Sequence, residues 1–380
     1  MKKEKELSKL ISELNEQESK LHKIIETDIP SLDYILGGGI ELGSKIQIVA
    51  EPSTGKTTIA LQVCKNFCKK GYDVLYVDTE NSVSEELLNS TGSKAFCNKK
   101  DGLEEGNLIL IKESEFDVVS KRLDDFICLN RFKLIVIDSL ASLVNKCYTN
   151  IDSVKGVKEV TNNNTNYESR PLNLFINKYS TLAKKYNFAI LYVNQFRNKI
   201  DMQKGTILKA YGNKIVHYDC DIKIIIKKDK TGYRADENGM LVSKSDLPYT
   251  HNKLILSLEK SNKLLTGTTV ESYIKYGYGI DHFIDYIQSL IRTGEITKSG
   301  KYYILYNNKK IDGFENLINT IYTERKKFHN YYCEKNHNES ENNVDIEKYG
   351  SNFIDNAEED EKEDEPFDVE NNALFIDEDE

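Results

Sequence analysis

Nowhere does this 380-residue chain approach the roughly 20 consecutive apolar residues that a membrane-spanning helix needs. The opening Met1-Lys2-Lys3-Glu4-Lys5-Glu6 has no apolar run behind it and is neither Arg-rich nor poor in acids. Neither a secretory signal nor a transit peptide is therefore expected. The seven cysteines include no C-x-x-C pair, and no His follows one at zinc-ligand spacing. Their odd number and scatter exclude a disulfide framework and point to reduced thiols in a cytoplasmic protein. Cys64 and Cys68 lie one helical turn apart, as two core-facing residues of one helix would. No internal repeat is present, which sets aside solenoids.

What is there fits a soluble globular protein with one sizeable core and smaller appendages: 39% hydrophobic and 30% charged residues. The net charge of −9 divides unevenly: Asp355–Glu380 carries fourteen acids and Lys362, a tail of −13, which leaves residues 1–354 at +4. Such a tail is expected to have no fixed structure, as is the Asn-, Glu- and Asp-rich chain from residue 330 onward. Beside a basic body it can also compete with a polyanion for the same surface.

Leu7, Leu10, Ile11, Leu14, Leu21, Ile24 and Ile25 fall at helical spacing, so residues 1–26 are expected to form a helix. It docks either on its own domain or on a neighbouring subunit, where it would serve oligomerisation; the spacing does not choose. From Ile29-Pro30 onward short apolar strands alternate with helices. Strands are expected at Lys45–Val49, Asp73–Val77, Leu108–Ile111, Leu134–Ile137 and Phe188–Val193, with helices up to Lys70, at Ser114–Cys128 and at Leu172–Tyr186. That alternation argues for a mostly parallel sheet covered on both faces. Beyond Asp221, strands at Ile222–Ile226, Leu254–Leu258 and Val270–Tyr276, joined by polar turns such as Lys230-Thr231-Gly232, suggest an antiparallel extension. Residues 281–329, with two helices and a hairpin at Tyr302–Tyr306, read as a small α/β subdomain.

Ala50-Glu51-Pro52-Ser53-Thr54-Gly55-Lys56-Thr57-Thr58 follows a strand and opens a helix. It fits the phosphate-binding pattern G-x-x-x-x-G-K-[ST], with Ala50 in place of the first Gly. Backbone N–H groups at the helix start would point at phosphate oxygens, Lys56 would reach the β- and γ-phosphates, and Thr57 would ligate Mg²⁺. The apolar strand ending at Asp138 supplies a second Mg²⁺ group. Glu80 and Gln195 also stand just past strand ends, the first suited to activate water and the second to sense the γ-phosphate.

In order and spacing these segments resemble the RecA family across roughly residues 27–325. Ile29-Pro30-Ser31-Leu32-Asp33 through Gly37-Gly38-Gly39 is similar to the opening of that core, and Asp78-Thr79-Glu80 to the element with its catalytic glutamate. Asp138-Ser139-Leu140-Ala141-Ser142-Leu143 resembles the Walker B segment, Asn194-Gln195-Phe196-Arg197-Asn198-Lys199-Ile200 the entry to the second DNA-binding loop, and Gly212-Asn213 its end. Tyr276-Gly277-Tyr278-Gly279-Ile280-Asp281 is similar to the strand end before the C-terminal subdomain. The resemblance implies a RecA-type P-loop ATPase core at 27–280, hydrolysing ATP with Mg²⁺ between adjacent subunits of a filament. Single- and double-stranded DNA would be its partners, beside single-strand-binding and mediator proteins. A neighbour's lysine would reach the nucleotide, and Lys260 matches that position. The second such lysine is Asn262 here, with Lys263 beside it; an expected lysine after the second loop is Val216, and the adenine-stacking tyrosine is Leu87. The acidic tail and these departures are similar to bacteriophage or plasmid versions, the UvsX group.

Two long polar stretches carry the expected DNA contacts. Residues 147–170 hold Lys155, Lys158 and Arg170; residues 198–211 hold Lys199, Lys204, Ile207, Lys209 and Tyr211, flanked by Arg197, Gly212 and Asn213. The cations would neutralise phosphates, while Ile207 or Tyr211 would wedge or stack against bases. Residue types alone allow surface loops of average charge equally; the resemblance favours DNA. The family function implied is pairing and strand exchange on single-stranded DNA. A RecA-like mediator without strand exchange and a hexameric helicase-like motor are the competing readings.

Overall fold

The computed structural model describes residues 23–97, 105–143, 169–201, 205–210, 213–235, 240–242, 249–305 and 307–324. The order of elements is β1 (Ile24–Ile25), α1 (Pro30–Leu36), β2 (Ile40–Glu41), β3 (Lys45–Ala50), α2 (Lys56–Lys69), β4 (Asp73–Asp78), α3 (Glu85–Ser90), β5 (Leu108–Ile111), α4 (Phe116–Ile127) and β6 (Phe132–Asp138). Then come α5 (Ser169–Tyr186), β7 (Ala189–Asp201), β8 (Gly205–Ala210), α6 (Asn213–Asp219), β9 (Ile222–Ala235), β10 (Leu241–Val242), β11 (His251–Ser261), β12 (Thr269–Lys275) and β13 (Gly279–Ile280). The last are α7 (His282–Thr293), β14 (Thr297–Ser299), β15 (Tyr302–Ile304), β16 (Lys310–Asp312) and α8 (Phe314–Thr323).

β9, β3, β7, β6, β4 and β5 run parallel in that spatial order, and β11, β12 and β13 continue the sheet antiparallel beyond β9. Every residue of β3 and β4 is buried, as strands covered on both faces must be. Alternate side chains feed two cores. Val74 and Tyr76 join α2 on one face, where Cys64 and Cys68 also turn inward; Leu75 and Val77 join α4 and α5 on the other. Each fully buried Leu, Ile or Val contributes about 1.5–3 kcal/mol, so the paired cores hold the strand ends rigidly. The structure is thus the mixed α/β sheet that the sequence pattern anticipates. Among the described residues no helix is long and apolar enough to cross a membrane.

Four expectations need correction. Ile24–Ile25 is not the end of a helix but a strand paired with Ile40–Glu41, because the turn at Gly39 brings that segment against it; at Gly39 a Cβ would stand 2.5 Å from the Ile25 carbonyl. The stretch 198–211 is not an open loop through Ala210: β7 and β8 pair from Phe196↔Ala210 to Asp201↔Gly205 as a hairpin. Lys230-Thr231-Gly232 lies inside β9, where an irregularity between Asn252 and Leu254 of the partner strand absorbs the extra residues. In place of a whole hairpin within Tyr302–Tyr306, Tyr302–Ile304 is a single strand, the middle one of three antiparallel strands. Residues 1–22, most of the stretch 147–170, and the tail beyond residue 324 lie outside the described residues.

α7 is tied back to the core at its start. Gln62 Nε2 donates to the Ile280 carbonyl (2.8 Å) while its Oε1 accepts from Ile280 N (2.8 Å), which fixes the amide's orientation. His282 Nε2 sits 2.9 Å from Gln62 Nε2 and must therefore accept, so the ring is neutral. Burial, with the nearby Lys65 charge, holds its pKa down at about 4. Between the ordinary value of 6.5 and 4 the unfolded chain binds a proton that the folded one refuses. Stability present above pH 6.5 is thus lost as pH falls towards 4, by about 2–3 kcal/mol from this group. Urea unfolding at several pH values is expected to show that His282→Gln removes this part of the slope; equal slopes for parent and variant would contradict the assignment.

Candidate nucleotide site

The carboxyl edge of the parallel strands collects the polar strand ends. Ala50 pairs with Gln195, Val193 with Asp138, and Asp138 with Asp78, so the ends of β3, β6 and β4 lie side by side with the middle of β7. Gln195, expected just past a strand end, is inside β7, because pairing with β8 carries that strand on to Asp201. Crevices at such edges are where open α/β sheets take ligands.

The loop after β3 turns through Ser53 (φ 58) and Gly55 (φ 89), both left-handed. The left-handed backbone at Gly55 is what requires glycine; an added Cβ would also press on the tip of the Ile274 side chain. Gly55 starts α2 without a side-chain cap, leaving the first-turn N–H groups aimed outward as an anion site. Glu51, Pro52 and Ser53 are exposed, and Thr54 Oγ1 braces the loop on the Glu51 carbonyl (2.7 Å). Lys56 Nζ folds back on the same loop, donating to the Glu51 carbonyl (2.7 Å) and the Ala50 carbonyl (3.3 Å). Burial lowers its pKa, while the charges of Asp138, Glu80 and Glu51 oppose that. Thr58 follows in the same first turn, half-buried.

Thr57 Oγ1 donates to Asp138 Oδ2 at 2.6 Å, and Tyr76 OH donates to the same oxygen at 2.7 Å. Burial raises the Asp138 pKa, and these two hydroxyls pull it back down. The end of β6 is clamped to the end of β4: Thr79 N donates to the Asp138 carbonyl (2.8 Å), and Thr79 Oγ1 accepts from Ser139 N (2.8 Å). That clamp carries Glu80 out over β6. Its Oε1 accepts from Ser139 Oγ, from Ser142 Oγ (3.1 Å) and from Gln195 Nε2 (2.8 Å). Lys56, Thr57, Glu80, Asp138 and Gln195 are thus gathered at one place. Tyr76, Ser139 and Ser142 join the site beyond the residues expected from the sequence; a lone hydroxyl among the apolar residues 74–77 is the available signal for the first.

Lys260 and Lys263 are elsewhere. Lys260 pairs with Lys223 on β9, which pairs with Gln47, three residues before Ala50. That puts it about 10 Å back along the sheet from the loop, and two strands across. Its Nζ donates to the carbonyls of His217 (2.6 Å), Tyr218 (3.1 Å) and Cys220 (2.6 Å), closing the C-terminal end of α6. Lys263 Nζ pairs with Glu41 at 2.7 Å. Of the expected DNA-contacting residues, Arg197 and Lys199 fall on β7, Ile207 and Lys209 on β8, and Asn213 opens α6. Arg170 is in the first turn of α5, while Lys155, Lys158, Lys204, Tyr211 and Gly212 lie outside the described residues.

A family profile described as the RecA N-terminal domain matches residues 2–268. The chain belongs to the RecA family. It is 24% identical over 312 residues to Protein RecA of Streptomyces avermitilis, covering 82% of this chain and 75% of that one. It is 24% identical over 297 residues to Protein RecA of Mycoplasma mycoides subsp. mycoides, covering 78% of each, and 26% identical over 297 residues to that of Fusobacterium nucleatum, covering 78% and 71%. The sheet and its phosphate-type loop are accordingly a RecA-type P-loop core. Within it, Val216 is fully buried in α6, Asn262 Nδ2 donates to Asp221 (3.3 Å), and Leu87 packs half-buried against the α2 core.

Proposed function

We propose that the chain is an ATP-dependent recombinase of the RecA type that forms filaments on single-stranded DNA and catalyses homologous pairing and strand exchange. In this reading it is a bacteriophage or plasmid member acting in the cytoplasm of its host. The observation that carries the reading is the Glu80–Gln195 contact of 2.8 Å. Gln195 belongs to β7, which runs without a break into the β7–β8 hairpin. One strand therefore joins a residue beside the nucleotide to the segment that meets DNA.

The residues suit a magnesium nucleotide. The Thr57 hydroxyl and Asp138 carboxylate form an all-oxygen set appropriate to a hard divalent cation, and the uncapped start of α2 suits phosphates. Bound there, Mg²⁺ would neutralise charge developing on the transferred phosphoryl group. Lys56 leaves the carbonyls of Ala50 and Glu51 for the β- and γ-phosphates. The γ-phosphate competes with Glu80 for the Gln195 amide. Once Gln195 turns to phosphate, Glu80 is free to take a proton from the attacking water, and β7 passes the change to the hairpin. The subunit interface completes the site with Lys260, and Lys263 near it, supplied by the next subunit. Cations on the hairpin and on residues 147–170 hold the strand.

DNA-stimulated ATP turnover measured beside joint-molecule formation tests this reading, and both are expected. The replacement of two family lysines by buried Val216 and by Asn262, bonded to Asp221, favours a second reading, a mediator that binds ATP without exchanging strands. Nucleotide binding with no joint molecules would select it. Unidirectional translocation by a closed ring would select a helicase-like motor instead.

A further inference from the structure

Between Asp73 and Asp78 the residues of β4 are aliphatic except Tyr76, which has no exposed surface and packs in the α2 core. Tyr76 pairs with Val136, two residues before Asp138 on the same face of the sheet. A diagonal neighbour at that offset is within reach of a long aromatic side chain. The phenol accordingly reaches Asp138 Oδ2 (2.7 Å), the oxygen that Thr57 Oγ1 also approaches (2.6 Å). Two hydroxyls from different elements converge on one atom of a carboxylate whose residue is 2% exposed. Leaving such a group with fewer donors is costly, and its orientation depends on them.

We propose that Tyr76 is a positioning residue, holding Asp138 from within the core so that the carboxylate stays aligned when Thr57 turns its oxygen to the divalent cation. The proposal rests on Asp138 and Thr57 forming the magnesium side of the site. The division of labour is geometric. Thr57 lies on the nucleotide side and must serve both cation and carboxylate. Tyr76 lies in the core and serves the carboxylate alone. Loss of its hydroxyl therefore weakens binding only where the cation takes part. A role in packing alone would weaken binding with and without the cation equally.

The test uses the full-length protein and a fluorescent ADP analogue, with Kd measured in Mg²⁺ and in EDTA. Tyr76→Phe is expected to raise the Kd in Mg²⁺ roughly tenfold and to leave the EDTA value unchanged, in line with the loss of a partner to a metal-binding carboxylate. An unchanged ratio of the two constants overturns the proposal, and so does an equal rise in both. Thermal unfolding monitors the fold; where Tyr76→Phe does not fold, Tyr76→Met, which also lacks the hydroxyl, is read in the same way. Asp138→Asn separates the two levels of the argument. If it keeps the parent's ratio, the magnesium reading of the site fails and the proposal with it. If it collapses the ratio while Tyr76→Phe does not, only the role of Tyr76 fails.

Discussion

Glu80→Gln is expected to bind ATP and assemble on single-stranded DNA while turning ATP over at least about 100-fold more slowly, the usual scale for loss of a general base. The amide is nearly isosteric and its carbonyl oxygen can still accept from Ser139, Ser142 and Gln195, so the clamped geometry survives. What is lost is the capacity to take a proton from water. Filament formation by electron microscopy and phosphate release in the same preparation give the two readouts. Turnover at the parent rate would show that Glu80 is not the base.

Lys260→Met is expected to lower DNA-stimulated turnover by a comparable factor while leaving nucleotide binding to the isolated subunit intact. The sheet register keeps Lys260 away from the loop of its own chain, so any contact with the triphosphate must come from a neighbour. Its three carbonyl partners at the end of α6 offer a structural alternative: loss of the cap loosens α6 and the hairpin before it. Mixing separates these roles. In a filament of head-to-tail interfaces, Glu80→Gln subunits carry an intact Lys260 and Lys260→Met subunits an intact Glu80. A random equal mixture then has about a quarter of its interfaces fully native, and about a quarter of parent turnover is expected from two nearly inactive proteins. A mixture no more active than its components would place Lys260 outside the shared site.

Much of the nucleotide edge was legible beforehand because its logic is local. A strand, a Gly-Lys-Thr turn and a helix specify the loop, and apolar strands ending in Asp138 or Asp78-Thr79-Glu80 deliver those residues to the same edge once the sheet is parallel, whereas the strand that carries Gln195 runs on to Asp201. The misread segments lack such periodicity. Asn198–Asp201 and Gly205–Ala210 are mixed polar sequences with no two-residue hairpin turn, and only their pairing reveals strands. Charge and glycine at Lys227–Gly232 resemble a turn, yet β11 pairs on either side of the irregularity and keeps the strand going. The end of the sheet on which Lys260 lies depends on the direction of β11, which pairing alone decides. Tyr76 is hard to read for the opposite reason: a tyrosine fits an apolar strand well, and its lone hydroxyl among aliphatic neighbours is the one signal that marks it.

Cryo-electron microscopy of the protein on single-stranded DNA with a slowly hydrolysed ATP analogue bears most directly on the shared triphosphate. The expected result is one γ-phosphate within about 4 Å of Lys56, with Glu80 one water away and Asp138 on the cation side. Glu80 and Asp138 lying more than about 10 Å from that phosphate, with other residues around it, would contradict the account.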